Sequence, residues 1–183
     1  MAATAHVRVD DRLIHGQVVV KWLRYLDCQD ILVVDDELRG DDFMQTVLRM
    51  AAPAAVRVRV ASVAEAVGLL EQPALSERGI LVLLRTPQMA LALLDHGVAF
   101  DEVNLGGLAG GPGATRLFRS VSASEPQLAA LIALRSRGVR VYIQMVPEEH
   151  ALELADALPA HLAKSRPTAS PDVDLVRTQA NGG

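Results

Sequence analysis

Four residues near the start of the chain, Asp10, Asp11, Arg12 and His15, have types and a spacing that suit the chemistry of an anion. Arg12 carries a permanent positive charge on a planar fork that matches the oxygens of a phosphoryl group. A neutral imidazole at His15 is a competent nucleophile near neutral pH. Gly16 has no Cβ, so a ligand can approach the backbone beside the histidine. Together these residues predict a histidine that is itself phosphorylated, with an aspartate orienting the imidazole or the guanidinium.

The same residues lie where a strand that ends at Val9 gives way to a helix that begins near Val18. The N-terminus of a helix has free backbone N–H groups and the positive end of the helix dipole, and both favour an anion. A simpler hypothesis is that Arg12 forms a structural ion pair with Asp10 or Asp11. The residues alone leave both hypotheses open.

Strands and helices alternate along the chain, which predicts an α/β fold: a single domain with a mainly parallel sheet and helices on both faces. Strands are predicted at 7–9, 31–34, 55–61, 79–85, 102–107 and 139–145, and helices at 18–26, 41–51, 62–72, 87–97, 122–138 and 147–158. Ligands collect at the C-terminal ends of such strands, where polar loops are expected at 10–16, 35–40 and 104–113. Residues 1–163 form the predicted domain, and 164–183 read as a disordered tail.

The composition excludes several classes of protein. Half of the 183 residues are hydrophobic but only 3% are aromatic, which suits a sheet of Val, Leu and Ile buried between helices. A formal net charge of −4 without a basic block argues against nucleic acid as a partner. A single cysteine, Cys28, and scattered histidines predict no disulfide, no metal site and no cofactor, and fit a reducing cytoplasm. We also expect no secretory signal and no membrane helix.

Three other features favour structural roles. His96, His150 and His161 lie in or near predicted helices and are interpreted as structural or solvated. The acidic run 35–37 follows a strand as in a magnesium-binding receiver domain, but the further Asp and Lys of such a domain are missing, so we predict a solvated loop. The glycine-rich segment 106–113 lacks the ending of a P-loop. It is expected to pass close to the histidine loop or to stay mobile for docking.

The segment Arg8–Val18, RVDDRLIHGQV, resembles the phosphorylation signature of the IIB subunits of mannose-fructose-sorbose family phosphotransferase systems. The resemblance extends to ILVVDDELRGDD at 31–42, VNLGGL at 103–108 and the segment 120–147, and so covers about residues 5–160. One departure is LRTP at 84–87, where many members have Phe-Thr-Asn-Pro. The asparagine is missing there, and Arg85 replaces an apolar residue.

The resemblance implies a seven-stranded, mainly parallel sheet and a histidine, His15, that is phosphorylated through Nδ1. It also implies that Arg12 stabilises the phosphoryl group with support from Asp11. The other residues that it brings near the phosphoryl group or the substrate side are Asp10, Gly16, Gln17, Thr86, Asn104, Gly106 and Gly107.

The activity implied by the resemblance is that of a phosphohistidine–sugar phosphotransferase. The phosphoryl group would arrive from a separate IIA protein and leave for a sugar carried by the membrane subunits IIC and IID. Such a protein would be cytoplasmic and peripherally associated with the transporter, and a homodimer is compatible with it. Two alternatives stay open: a regulatory phosphohistidine carrier that is not coupled to transport, and a module that binds a free anion without forming phosphohistidine.

Overall fold

Nine strands and seven helices follow one another along residues 5–71 and 79–159, the part of the chain that this computed structural model describes. The strands are β1 (Ala5–Asp10), β2 (Asp30–Val34), β3 (Arg57–Ala61), β4 (Ile80–Leu84), β5 (Glu102–Gly107), β6 (Thr115–Phe118), β7 (Val121–Ala123), β8 (Arg140–Ile143) and β9 (Leu152–Glu153). The helices are α1 (Gly16–Tyr25), α2 (Asp36–Arg39), α3 (Asp42–Ala51), α4 (Val63–Leu70), α5 (Pro87–Asp95), α6 (Glu125–Ser136) and α7 (Leu154–Ala157).

Seven of these strands form one sheet in the order β3-β2-β4-β1-β5-β8-β9. Every neighbouring pair from β3 to β8 is parallel, and only β9 runs antiparallel to its neighbour. The predicted α/β fold with a mainly parallel, seven-stranded sheet is therefore confirmed. Strand β1 lies in the middle, so its carboxyl end opens onto loops that follow the strands on both sides.

Helices cover both faces of the sheet and bury two separate apolar clusters. One cluster packs β1, β4 and β5 against α4, α5 and α6, and the other packs α1 and α3 against the opposite face. Alternation along β1 sends Val7 and Val9 into the first cluster. Arg8 and Asp10 are buried on the other face, where the Arg8 guanidinium carbon lies 5.1 Å from the centre of the Trp22 ring.

Local signals set the helix ends as the sequence predicts. Ser62 and Glu65 form a capping box at the start of α4. Pro87 occupies the first turn of α5. Gly97 and Gly138 follow the ends of α5 and α6 with φ of 89° and 86°, a left-handed conformation that glycine adopts without strain.

Two short elements differ from the sequence prediction. The acidic loop at 35–40 contains α2, because the Asp35 carboxylate accepts hydrogen bonds from two backbone N–H groups of its first turn. The glycine-rich loop leads into an antiparallel hairpin of β6 and β7. The predicted helix start at Ser122 is therefore wrong, and α6 begins at Glu125.

The helix predicted over 147–158 is wrong for most of its length. Strand β9 pairs antiparallel with β8, and the Arg140 guanidinium of β8 donates to one Glu153 carboxylate oxygen at 2.9 and 2.6 Å. Only the four residues of α7 are helical. The unpaired edge of β8 offers backbone hydrogen bonds that override the helical propensity of this short segment.

The tail predicted at 164–183 and His161 lie outside the described residues, so the predicted domain boundary stays a prediction. Within the described part of the chain, no helix is long and apolar enough to cross a membrane.

Candidate functional site

The segment between β1 and α1 holds His15 at the start of a helix. His15 is the N-cap residue of α1, with extended backbone angles and no capping hydrogen bond from its side chain. The first turn of α1 contains no acidic residue. Gly16 has a φ of +47°, which favours glycine, and a Cβ there would meet no atom within 4 Å. The start of α1 is therefore open and suited to an anion.

Each ring nitrogen of His15 faces a different hydrogen-bond acceptor. Nδ1 lies 2.9 Å from the backbone oxygen of Leu13, a residue with a left-handed φ of 54°. Nε2 lies 3.9 Å from Oδ2 of Asp10 and is buried without a hydrogen-bond partner among the described residues. With the proton on Nδ1, the ring donates a hydrogen bond to the backbone oxygen of Leu13. With the proton on Nε2, the N–H faces the Asp10 carboxylate and the lone pair of Nδ1 is free to act as a nucleophile. Attack through Nδ1 therefore requires the ring to leave Leu13 and the proton to sit on Nε2.

Asp10 is the fully buried centre of the site, with 0% of its side chain exposed. Oδ1 accepts from the backbone N of Arg12 at 3.3 Å and from its Nε at 3.2 Å. Oδ2 accepts from Nη2 of Arg12 at 3.4 Å and from Nη2 of Arg8 at 3.0 Å. The structural ion pair considered from the sequence is thus present, and its carboxylate is Asp10. With 53% of its side chain exposed, Arg12 still reaches solvent and any incoming anion.

Asp11 contacts the glycine-rich segment, and its predicted supporting role stays a prediction. Its partly buried carboxylate accepts a hydrogen bond from the backbone N of Ala109 at 2.9 Å. Asp11 thereby fastens the glycine-rich segment to the loop that holds His15, as the sequence predicts for the path of that segment. The contacts with Arg12 and the approach to the imidazole belong to Asp10.

Arg8 is the residue of the site that the sequence analysis did not single out. Only 2% of its side chain is exposed, which is rare for an arginine. Nη1 donates to the side-chain oxygen of Asn104 and, at 3.1 Å, to the backbone oxygen of Gln144. Burial lowers the pKa of the Arg8 guanidinium, and the charge and hydrogen bond of Asp10 oppose that shift. The available signal was an arginine between two valines of a strand in the middle of the sheet.

The predicted site residues of β5 gather around the two arginines. Asn104 accepts from Arg8, as described above. A Cβ on Gly106 would lie 1.7 Å from Nη2 of Arg8, so only glycine leaves room for the guanidinium. A Cβ on Gly107 would lie 2.9 Å from both Nη2 of Arg12 and Oδ1 of Asp10. These β5 residues therefore shape the pocket of the charged side chains and need not touch a ligand themselves.

Thr86 lies apart from this network. It is the N-cap of α5 and lines, together with Asp11, an open groove of about 600 Å³ at the same edge of the sheet. The neighbouring Arg85 pairs with Asp35 and, at 2.8 Å, with Glu37. Asp35 is fully buried, so the prediction of a solvated acidic loop is wrong for this residue. Arg85 therefore neutralises a buried carboxylate.

The other features named from the sequence add no described contact to the site. His96 bonds the backbone oxygen of Ala92 at 2.8 Å, as a structural histidine would. Burial raises the pKa of the Cys28 thiol to about 11, so it is no thiolate nucleophile at neutral pH. Gln17 belongs to the first turn of α1, but its side chain lies outside what the structure describes. No group of three or more metal-ligating side chains occurs within 5–71 and 79–159.

The geometry joins a histidine, an exposed arginine and a free helix start, and comparison with known proteins identifies the family. A family model for the sorbose subfamily IIB component of the phosphotransferase system (PTS) matches residues 4–168. The chain belongs to this family. PTS IIB components are phosphotransferases that act in sugar uptake. The family resemblance found in the sequence is therefore confirmed.

Individual relatives agree with the family. The PTS sorbose-specific EIIB component of Klebsiella pneumoniae is 31% identical over 82% of this chain and 92% of its own length. The PTS mannose-specific EIIAB component of Escherichia coli K12 is 32% identical over 82% of this chain, which spans only 47% of that longer protein. The crystal structure of the IIBSor domain of the Klebsiella pneumoniae sorbose permease is 30% identical, with a TM-score of 0.78 over 84% of this chain and 95% of that one.

Proposed function

We propose that this IIB component accepts a phosphoryl group on Nδ1 of His15 from a IIA protein and passes it to a sugar during uptake. The observation that supports this proposal most strongly is the position of His15 at the open start of α1, next to the exposed fork of Arg12. Both groups lie at the carboxyl end of the central strand, where a docked protein can reach them. Family membership makes phosphoryl transfer the natural use of such a site.

The proposed reaction moves one phosphoryl group between two nitrogens and then to an oxygen. The lone pair of Nδ1 attacks the phosphorus of phospho-IIA, while the phosphorus–nitrogen bond to the donor histidine breaks and its electron pair stays on that imidazole. A proton on Nε2 of His15 faces Asp10, and Arg12 donates to the phosphoryl oxygens. In the second step a sugar hydroxyl attacks phosphorus and releases its proton to solvent, while the phosphorus–Nδ1 bond breaks and its electron pair returns to Nδ1. His15 thereby recovers a neutral imidazole with its proton on Nε2.

The partners follow from the same proposal. A mannose-specific relative is named for both a IIA and a IIB part, which supports a IIA donor for this chain. The donor is proposed to be a IIA protein or IIA domain. The sugar and the membrane subunits IIC and IID would receive the phosphoryl group, with the IIB component at the cytoplasmic face of the transporter. A homodimer stays a prediction.

The experiment is phosphorylation of wild type, His15→Ala and His96→Ala by phosphoenolpyruvate, Enzyme I, HPr and a family IIA, followed by intact-mass spectrometry at neutral pH. We expect one acid-labile phosphoryl group on wild type and on the His96→Ala control, and none on His15→Ala. His96 is a suitable control because it is an exposed histidine outside the site. Labelling of His15→Ala at the wild-type level would contradict the proposal.

A second stage separates transport from regulation. Phosphorylated wild type is mixed with membranes that contain the IIC and IID subunits and with candidate sugars. Transfer to a sugar supports the proposed role. A phosphorylated protein that donates to no sugar under these conditions would favour the regulatory carrier.

A further inference from the structure

Arg8 is a buried cation that the proposed reaction does not use directly. It lies on the central strand, contacts Asp10, Asn104 and two backbone oxygens, and stacks near Trp22. Only 2% of its side chain is exposed, so we expect no contact with a docked donor or a sugar. We propose that Arg8 is a positioning residue: it keeps the Asp10 carboxylate paired while Arg12 moves from Asp10 to the phosphoryl group. This inference rests on the proposed function and assigns Arg8 a role within it.

The movement of Arg12 follows from its present contacts. Both its Nε and Nη2 are held by Asp10, at 3.2 and 3.4 Å. These are the donors of the fork that would bind two phosphoryl oxygens. A phosphoryl group on His15 carries up to two negative charges, so it competes with a single carboxylate for an arginine that is half exposed. Arg12 therefore has to exchange one anion for the other during each transfer.

This exchange would leave the Asp10 carboxylate without a counter-charge if Arg12 were its only partner. A carboxylate with 0% exposure strongly resists the loss of its last counter-charge. Arg8 removes this obstacle, because its Nη2 lies 3.0 Å from Oδ2 of Asp10 and is too deeply buried to leave. The Arg8–Asp10 pair stays neutral in both states, and the charge of Arg12 becomes available to the phosphoryl group.

The contact between Arg8 and Asp10 also fixes the carboxylate oxygen that faces the imidazole of His15. Oδ2 of Asp10 is bound by Arg8 and is also the oxygen 3.9 Å from Nε2 of His15. Asn104 accepts a hydrogen bond from the same guanidinium, and Gly106 leaves room for it because glycine has no Cβ. Arg8 thereby positions the acceptor for an Nε2 proton, which the Nδ1 nucleophile requires.

A purely structural role for Arg8 is the alternative, since it bonds the backbone oxygens of Gln144 and Met145 at 3.1 and 3.3 Å.

The first test compares Arg8→Met with Arg8→Lys in transfer from phospho-IIA, with kcat and KM measured separately. We expect kcat of Arg8→Met to fall about 10²-fold with an unchanged KM, because Arg8 cannot touch the donor. Arg8→Lys retains the charge and is expected to keep kcat within about tenfold of wild type.

The double variant Arg8→Met/Asp10→Asn gives a readout that a structural role would not move. Removing the carboxylate charge releases Arg12, so the double variant should transfer about tenfold faster than Arg8→Met alone. If Arg8 were only a structural link, the second substitution would bring no recovery. A double variant no faster than Arg8→Met, or an Arg8→Met protein with wild-type kcat, would overturn the inference.

Gly106→Ala tests the position of Arg8 without changing its charge. The new Cβ would lie 1.7 Å from Nη2 and 2.0 Å from Cζ of Arg8, so the guanidinium must move. We expect kcat to fall, whereas the control Gly68→Ala, whose Cβ meets nothing within 4 Å, transfers like wild type. Wild-type kcat in Gly106→Ala would contradict the inference even if Arg8→Met does not fold. Failure of the proposed function would look different, because wild type itself would then carry no phosphoryl group.

Discussion

Asp10→Ala is expected to lower the free energy of unfolding by about 3–5 kcal/mol, because it leaves Arg8 charged and buried with no counter-charge. The Arg8 side chain is only 2% exposed, so water compensates poorly for the lost carboxylate. Asp10→Asn should cost less, since an amide oxygen can still accept from Nη2 of Arg8. Urea unfolding measures both, with the single tryptophan Trp22, which is buried, as the fluorescent reporter.

Asp11→Ala is the matched control for this prediction. Asp11 is a neighbouring carboxylate in the same loop, but it is only partly buried and accepts a hydrogen bond from the backbone N of Ala109. Its removal should change the unfolding free energy by about 1 kcal/mol or less. Equal losses of stability for the two variants would show that Asp10 is no special centre of the network.

Arg12→Ala is expected to slow transfer from phospho-IIA about 10²- to 10³-fold, because it removes the forked donor that stabilises charge on the phosphoryl oxygens. Stability should change by only about 1 kcal/mol or less, since Arg12 is half exposed and Asp10 retains Arg8. Arg12→Lys keeps the charge but loses the fork, so its rate should fall between those of Arg12→Ala and wild type.

Rapid-quench measurement of single-turnover transfer checks this second prediction. Arg24→Ala, which removes an exposed arginine at the far end of α1, is the control and should transfer at the wild-type rate. An Arg12→Ala protein that is phosphorylated as fast as this control would contradict the role given to Arg12. A large loss of stability in Arg12→Ala would instead show that Arg8 alone does not keep Asp10 paired.

Most of the fold could be predicted because the strands and helices carry their own patterns. The β-branched run of β2 and the capping box of α4 specify their elements locally. The segment after β8 could not be predicted this way, because its pairing with β8 depends on an edge that only the assembled sheet creates. Asp35 illustrates the same limit: an acidic run looks solvated until the sheet places Arg85 beside it.

The residue types of the candidate site could be read from the sequence, but most of its contacts could not. The types and spacing of Arg12 and His15 already indicated an anion. Which aspartate holds the arginine was not predictable, because Asp10 and Asp11 are adjacent and only the alternation of β1 decides which carboxylate points into the buried face. The role of Arg8 in the site could not be predicted for a similar reason, because its partners on β5 and after β8 are distant in sequence.

We propose that Nδ1 of His15 carries the phosphoryl group in transit. The most direct measurement is phosphorus–nitrogen correlation NMR on the isotope-labelled protein after phosphorylation by phospho-IIA. We predict that phosphorus is bonded to Nδ1 of His15 and that Nε2 carries a proton, as its approach to Asp10 suggests. Phosphorus on Nε2, on another residue, or on no residue at all with a demonstrably active phospho-IIA would contradict the claim.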